Sequence, residues 1–272
     1  MAASNPLLTG LCDDAAIFPP GLKPLERAVP DHRAHLTSPH AALVGPLIVS
    51  ADRLDDLGPL VAGAEGFDLT VTVPGGVTGV ADVLATVPQA LRLVGLEIVP
   101  VGLDGNGVVT ALDSLELAPE ITVWVEIPRD ERRSSMIAAL AGTRYRAKFR
   151  TGGVRADLYP DEAELAEAIV ACVAAGLPFK ATAGLHHAVR NTDDRGFEQH
   201  GFANMLVATA LARSGAGEDE VRAALADRDA ESVAARLRLD EDGAHRVRES
   251  FVSFGTCSID EPRDELAALG LL

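Results

Sequence analysis

Residues 144–182 read RYRAKFRTGGVRADLYPDEAELAEAIVACVAAGLPFKAT. Two short apolar or β-branched runs, at 144–149 and 178–182, flank a longer stretch at 161–175 whose apolar residues recur with a helical period. This order of strand, helix and strand is typical of parallel βα units. The segment therefore predicts an α/β fold built on a parallel sheet.

The same alternation runs through the rest of the chain. Eight runs are strand candidates: 10–17, 43–49, 68–73, 93–99, 121–127, 144–149, 178–182 and 251–256. Helical periods follow them, for example at 24–36, 79–91, 131–141, 161–175 and 261–271. Eight βα units in 272 residues have the count and size of a (β/α)8 TIM barrel. A doubly wound open sheet is the alternative, but the turn after the first strand, DDAAIFPPG, contains no glycine-rich phosphate-binding fingerprint.

No internal repeat or low-complexity linker divides the chain, so we predict one barrel domain over residues 1–272. The gap between the seventh and eighth strand candidates is too long for one helix, and residues 188–250 are a predicted helical insertion. Its helical segments are 201–213, 217–226 and 229–239. Long insertions after barrel strands lie on the active-site face and often act as lids. A helical decoration or a homo-oligomer contact is the alternative.

Composition narrows the class of partner. The chain has 40 acidic and 24 basic residues, a net charge of −16, which argues against nucleic acid or an anionic membrane as a partner. Cys12, Cys172 and Cys257 are widely spaced and form no CxxC pair, as expected of a reduced protein without disulfides. The first residues show no secretory signal, and no apolar run reaches the length of a membrane span. These features predict a cytoplasmic location.

The basic residues are unevenly divided into 21 Arg and three Lys, namely Lys23, Lys148 and Lys180. Codon bias explains a shortage of lysine. A second explanation is that Lys is retained where only an amine can lose its proton near neutral pH and attack a carbonyl group. The positions of the three lysines in the fold distinguish these explanations.

Reactive groups in barrel enzymes lie at the carboxyl ends of the strands. Applied to the strand candidates, this rule selects a small set of polar and small residues. In strand order they are Asp13 and Asp14, Glu97, Glu126, Lys148 and Arg150, Lys180 and Thr182, and Gly255, Thr256, Cys257 and Ser258. Two of the three lysines are therefore predicted to lie at the active-site face.

Strand alternation directs Lys180 into the barrel if Phe179 faces the helices. Lys148 on the adjacent strand is then expected within several Å, with few groups to separate the two charges. Like charges in a dehydrated setting depress each other's pKa, which is one way to activate a Schiff-base lysine. Glu97 would then move protons. The alternative, weighed equally, is that Glu97 and Glu126 form salt bridges with both lysines and simply close the barrel end.

Adjacent histidines raise a separate possibility. His186 and His187, with Glu97, Glu126 and Cys257, contain the residue types of a metal site. Adjacent side chains on an extended segment point to opposite sides, however, and no HxH or HxxxH spacing is present. We therefore predict no metal, and expect one histidine to contact substrate or close the loop.

The stretches AKFRTGG at 147–153, PFKATAGLH at 178–186, FVSFGTCSI at 251–259 and GLEIVP at 95–100 end four of the predicted strands. Together they resemble deoxyribose-phosphate aldolase and its class I aldolase relatives. The family carries a Lys-x-x-Thr-Gly segment, a Phe-Lys-x-x-Gly-Gly segment, a Phe-Gly-Ala-Ser-Ser ending and a proton-shuttling aspartate. The matching positions are Lys148, Thr151, Gly152, Phe179, Lys180, Gly184, Phe254, Gly255, Ser258 and, in place of the aspartate, Glu97.

The resemblance implies a lyase in which Lys148 forms an imine with a small carbonyl compound, Lys180 lowers its pKa and Glu97 shuttles protons, without a cofactor. Two departures bear on the substrate. Leu185, His186 and His187 replace a small phosphate-binding turn, and Asp260 and Glu261 stand near the helix N-terminus that accepts phosphate in the family. Carboxylates there repel an anion, so we expect a substrate that need not be phosphorylated.

Arg150 is a candidate partner for a substrate carboxylate, or alternatively for Glu126. The full set of predicted substrate-binding residues is Asp14, Glu126, Arg150, Thr151, Gly152, Thr182, Gly184, His186, His187, Gly255, Thr256, Cys257 and Ser258. The alternatives are a metal-dependent hydrolase or lyase that uses His186, His187, Glu97 and Glu126, and a barrel without catalytic activity.

Overall fold

A computed structural model of the chain describes residues 5–63 and 66–272. Eight parallel strands, each paired with its neighbours in chain order, close into a barrel when the eighth pairs with the first. They are β1 (Cys12–Asp14), β2 (Val44–Ser50), β3 (Asp68–Val73), β4 (Arg92–Ile98), β5 (Thr122–Glu126), β6 (Arg146–Arg150), β7 (Phe179–Thr182) and β8 (Phe251–Thr256). The predicted (β/α)8 barrel is confirmed.

Helices alternate with these strands around the barrel. They are α1 (Leu25–Leu36), α2 (Leu54–Val61), α3 (Val80–Thr86), α4 (Gly105–Asp113), α5 (Arg133–Leu140), α6 (Glu162–Ala174), α7 (Phe202–Arg213), α8 (Glu218–Ala226), α9 (Ala230–Arg236), α10 (Glu241–Ser250) and α11 (Asp260–Ala268). None of the helices in the described residues is long and apolar enough to span a lipid bilayer.

The seventh strand shows how alternation separates core from site. Phe179 stacks against Phe251 and tilts against Phe149, with ring centroids 5.4 and 5.1 Å away. Lys180, the next residue, turns to the opposite face of the strand, into the barrel. It is in register with Lys148 of β6, which is in register with Glu126 of β5. The register therefore brings charged side chains of three adjacent strands to one level.

The first strand is shorter than the predicted run at 10–17. After β1, the Ala15 amide still donates to Thr256 O, but the Ala16 amide donates to the Asp14 side chain and the Phe18 amide to Ala15 O. These bonds turn the chain away from the ladder. The strand consequently ends with Asp14, and the stretch after it forms part of the barrel mouth.

Residues 188–250 contain a short β-hairpin and helices α7 to α10. The two strands of the hairpin, Asn191–Thr192 and Glu198–Gln199, have two residues each. Helix α7 packs on β8, and α8 packs on both α7 and α6. Within the described residues, no side chain of this segment lines the cavity at the barrel mouth.

One boundary in this segment differs from the prediction. The helical run expected at 229–239 ends earlier, and a new helix, α10, begins after Asp240. The Asp240 side chain accepts a hydrogen bond of 2.7 Å from the Gly243 amide. A carboxylate in this position satisfies an amide that has no partner within the helix, which is why a new helix starts there.

We expect Asp240→Ala to lower the free energy of unfolding by about 1 kcal/mol, the usual effect of losing an aspartate N-cap. Asp242→Ala is the matched control, because Asp242 is an exposed aspartate in the first turn of the same helix. Its loss is expected to stay within about 0.5 kcal/mol. Urea denaturation of both variants measures the difference, and equal losses would contradict the capping role.

Candidate active site

The carboxyl ends of the strands surround a cavity of about 430 Å³. Its apolar wall includes Phe18, Ile48, Val73, Val99 and Leu158. The predicted site residues that line it are Glu97, Glu126, Lys148, Arg150, Thr182, Gly184, His186, Gly255 and Cys257. Cavities of this size with a few converging polar groups are typical of small-molecule sites.

Lys180 lies behind the cavity wall and is held tightly. Its Nζ donates to Asp13 Oδ2 at 2.5 Å and to Glu97 Oε1 at 2.7 Å, and it lies 5.6 Å from the centroid of the Trp124 ring. Burial alone would lower the pKa of Lys180, but the two carboxylates outweigh it and raise the pKa above its usual range. Lys180 is therefore a permanent buried cation.

Lys148 faces the cavity and is held more loosely. Its Nζ donates to Glu97 Oε2 at 3.3 Å and lies 3.0 Å from Glu126 Oε2, without the angle of a hydrogen bond to the latter. Arg150 flanks Glu126 from the other side, with Nε 3.6 Å from Oε1. Of the two inward lysines, Lys148 is the one that lines the cavity.

Glu97 connects the two lysines, because each of its oxygens contacts a different ammonium group. Burial would raise the pKa of its carboxyl, but Lys180 and then Lys148 outweigh burial and lower it from 4.5 to about 2. Glu97 is thus a carboxylate throughout the neutral range. Glu97 lies on β4 in register with Trp124, two residues before Glu126 on β5. Because Glu126 is in register with Lys148, Glu97 lies one layer deeper in the barrel than the lysines, and its carboxylate reaches both.

The predicted electrostatics of the lysine pair need correction. The sequence supports two equally weighed predictions. The first, salt bridges from the lysines to Glu97 and Glu126, agrees with the ion pairs of Lys148 with both carboxylates and of Lys180 with Glu97. The second places two ammonium groups with little between them, each depressing the other's pKa. Instead, carboxylates alternate with the ammonium groups, and the pKa of Lys180 is raised rather than lowered. The sequence shows which charges face inward, but their pairing depends on distances that only the closed barrel defines.

Asp13 is also a member of this network. The strand-end rule selects both Asp13 and Asp14, but the predicted substrate-binding set contains only Asp14. Asp13 Oδ2 accepts hydrogen bonds from Lys180 and, at 2.8 Å, from Ser253. Burial raises the pKa of Asp13, although Lys180 and Ser253 counteract that shift. Gly45 on β2 leaves room for the group, since a Cβ there would collide with Asp13 Oδ1.

Asp14 points away from the cavity. Its Oδ2 lies 3.0 Å from Nδ1 of His32, a fully buried residue of α1, and its Oδ1 accepts from the Ala16 amide. Alternation along the strands distinguishes the two aspartates. Asp13 is in register with Gly255, which lines the cavity, whereas Asp14 points to the same side as Cys12, which is in register with Phe254. The same alternation turns Ser253 inward.

Four predicted substrate contacts at the strand ends and in the following loops do not line the cavity, namely Thr151, Gly152, Thr256 and Ser258. Thr151 donates to Ala183 O at 2.6 Å, and Gly152 approaches Gly184 so closely that neither accommodates a Cβ. Thr256 donates to Ser258 O, while Ser258 Oγ accepts from the Glu261 amide at the start of α11. These residues shape the loops after β6, β7 and β8.

The side chains of the two adjacent histidines point in different directions, as predicted for neighbouring residues on an extended segment. His187 is half exposed and pairs with Glu265 of α11, with Nδ1 and Oε1 2.6 Å apart. His186 lines the cavity, and its Nδ1 lies 3.6 Å from the Cys257 sulfur. Burial lowers the pKa of His186 and raises the pKa of the Cys257 thiol. The predicted metal set of both histidines with Glu97 and Glu126 is therefore not assembled, since His187 points elsewhere.

The site thus consists of one cavity-facing lysine, a second lysine fully buried behind it, and carboxylates that join them. Helix α11 begins beside this cavity with Asp260 and Glu261 in its first turn, as the sequence indicated. Comparison with protein-family models and with curated proteins finds no match for this chain.

Proposed function

We propose that this protein is a lyase of the class I aldolase type, in which Lys148 forms a Schiff base with a small aldehyde or keto compound. The observation that carries the proposal is the asymmetry of the two lysines. Lys148 lines the cavity, whereas Lys180 is buried behind it, on the other oxygen of the same carboxylate. The resemblance of four strand ends to class I aldolases supports the imine-forming role of Lys148, whereas the role of Lys180 proposed here, holding Glu97, differs from the one that the resemblance implies.

The charge balance of the reaction suits this environment. The ammonium group of Lys148 and a carbonyl compound give a protonated imine and one water molecule, so the positive charge on the Lys148 nitrogen is retained. Glu97 and Glu126 therefore keep a cationic partner in the intermediate, and no buried carboxylate is left unpaired. The protonated imine then accepts the electron pair of the carbon–carbon bond that breaks.

Attack requires that Lys148 lose a proton for the duration of one step. Glu97 Oε2 accepts a hydrogen bond from the amine and is therefore positioned to take the proton. Its low pKa depends on two ammonium groups, and deprotonation of Lys148 removes one of them, so the transfer itself raises the basicity of Glu97. The same proton returns when the hydroxyl of the carbinolamine leaves as water. Lys180 keeps Glu97 in place during both transfers.

The cavity wall favours a small substrate without a phosphate group. Asp260 and Glu261 in the first turn of α11 disfavour an anion at that helix terminus.

Arg150 lines the cavity with about two fifths of its side chain exposed, and its contact with Glu126 is long, at 3.6 Å. The guanidinium can therefore exchange its long contact with Glu126 for a bidentate contact with a substrate carboxylate.

Borohydride trapping tests the proposal. The full chain is incubated with acetaldehyde, glyoxylate, pyruvate or dihydroxyacetone, reduced, and analysed by intact mass and peptide mapping. We expect one stable adduct, on Lys148, with at least one of these compounds. Lys148→Arg keeps the positive charge beside Glu97 and Glu126 but cannot form an imine, so its adduct should fall to background.

Lys23→Arg is the matched control, because Lys23 is a surface residue paired with Asp31. Its adduct should equal that of the native chain. The ion pairs of Lys148 favour a second candidate function, a barrel that binds a small molecule without catalysis. Adducts that lie only on Lys23 or the chain terminus, with all four compounds, would favour this second candidate and overturn the lyase.

A further inference from the structure

A cluster of three potential metal ligands lies at the rim of the cavity, apart from the lysine network. His186 follows β7, Cys257 follows β8, and Glu261 lies in the first turn of α11. One ligand atom from each residue lies within 4.8 Å of the other two. His186 and Cys257 also line the cavity, so the cluster adjoins the space where substrate would bind.

The distance between the first two ligands matches that of a bound zinc ion. His186 Nδ1 and Cys257 Sγ are 3.6 Å apart. With usual Zn–N and Zn–S bond lengths and a tetrahedral angle, two such ligands of one zinc ion are also about 3.6 Å apart. The imidazole and the sulfur therefore need no rearrangement to bind one ion between them.

Glu261 needs a small movement to complete the set, and its surroundings allow it. The residue is exposed, and within the described residues its carboxylate has no hydrogen bond or ion pair that would hold it elsewhere. Glu265, one turn further along α11, is by contrast bound to His187 and to the Ala188 amide. The carboxylate of Glu261 is thus the available third ligand on this helix.

The donor set selects a class of ion. Thiolate sulfur, imidazole nitrogen and carboxylate oxygen suit Zn²⁺ and similar borderline cations, whereas Mg²⁺ and Ca²⁺ prefer oxygen ligands alone. Three protein ligands are the usual number in zinc sites that keep one coordination position open. Here the open position would face the cavity, because two of the three ligands form part of its wall.

We propose that His186, Cys257 and Glu261 bind one Zn²⁺-class ion at the rim of the cavity, with a fourth position open to water or to an oxygen atom of a cavity ligand. On binding, the Cys257 sulfur exchanges its proton for the metal, and the proton passes to solvent. The inference does not rest on the Schiff-base function, since Lys148 is not a ligand. Lys148→Arg is accordingly expected to bind zinc as the native chain does.

Metal titration of the full chain, first stripped with a chelator, tests the site. Zn²⁺ alone, in competition with a chromophoric chelator, should bind with one equivalent. Co²⁺ alone should produce a near-ultraviolet thiolate-to-cobalt charge-transfer band, which reports directly on a sulfur ligand. Cys257→Ser should abolish this band and weaken zinc binding by at least about 100-fold, the upper end of what even outer-shell changes cause.

His187→Asn is the neighbouring control for His186→Asn, because His186 contacts Cys257 whereas Nδ1 of His187 contacts Glu265. The His186 variant should lose zinc affinity together with the Cys257 variant, while the His187 variant keeps both affinity and cobalt band. Circular dichroism confirms that each variant is folded. Binding that survives in folded Cys257→Ser, or a native chain without the band, would overturn the site and leave a thiol–imidazole hydrogen bond only.

Discussion

Replacing Lys180 with methionine is expected to lower the free energy of unfolding by about 3–5 kcal/mol, the usual effect of removing one partner from a buried ion pair. Lys180 is fully buried and donates to both Asp13 and Glu97. Methionine fills much of the same space but leaves two buried carboxylates with no ammonium between them. The loss therefore arises from uncompensated charge rather than from a cavity.

Urea denaturation at neutral pH measures this loss. Lys23→Met is the matched control, since Lys23 also pairs with one aspartate, Asp31, but at the surface. Its loss is expected to be within about 1 kcal/mol. If the two variants lose the same free energy, the network around Lys180 does not stabilise the barrel in the way that its geometry indicates.

The second large effect concerns Glu97 and pH. At neutral pH, Glu97→Gln is expected to cost about 3–5 kcal/mol, because both lysines lose their shared carboxylate. The pKa of Glu97 is about 2 in the folded chain against an ordinary 4.5. Its ionised form therefore stabilises the fold above about pH 5, and this contribution is lost as the pH falls from 4.5 toward 2. The native chain should approach the stability of Glu97→Gln in acid.

The measurement is urea denaturation of the native chain and of Glu97→Gln at several values from about pH 6 to pH 3. The gap between them should narrow by an amount on the order of 2 kcal/mol across this range. Burial raises the pKa of Asp13, which acts in the opposite direction, and the charge of Glu97 adds to that rise. Both chains contain Asp13, so the difference between them reports the removal of Glu97 together with its effect on Asp13. Asp130→Asn, an exposed group beside Arg132, is the control and should differ little from the native chain at any pH. A gap that stays constant would contradict the low pKa.

Periodicity predicted most of the barrel. Seven of the eight strand candidates begin and end within two residues of the observed strands, because apolar alternation and the residues that end a strand are local properties. The direction of Lys148 and Lys180 into the barrel followed from the same alternation. The first strand was predicted too long because the bonds that end it, from the Ala16 and Phe18 amides, depend on loop geometry.

The candidate site was predicted only in part. Glu97, Glu126, Lys148, Arg150 and Cys257 share one cavity, as the rule for strand ends predicts. His186, singled out separately as one of two adjacent histidines, lines the same cavity. Thr151, Thr256 and Ser258 satisfy loop hydrogen bonds instead. Ser253 and Glu261 were not selected, since the first precedes the strand end and the second follows it by a helical turn.

By itself, the sequence determined seven of the eight strands and the inward direction of Lys148 and Lys180, because alternation along a strand is a property of consecutive residues. Only the tertiary structure decided which charges meet. Asp13 from β1, Glu97 from β4 and Lys180 from β7 are far apart along the chain, and closure of the barrel brings them into contact. Ion pairing depends on distances of a few Å, and these are defined only when all eight strands are in register.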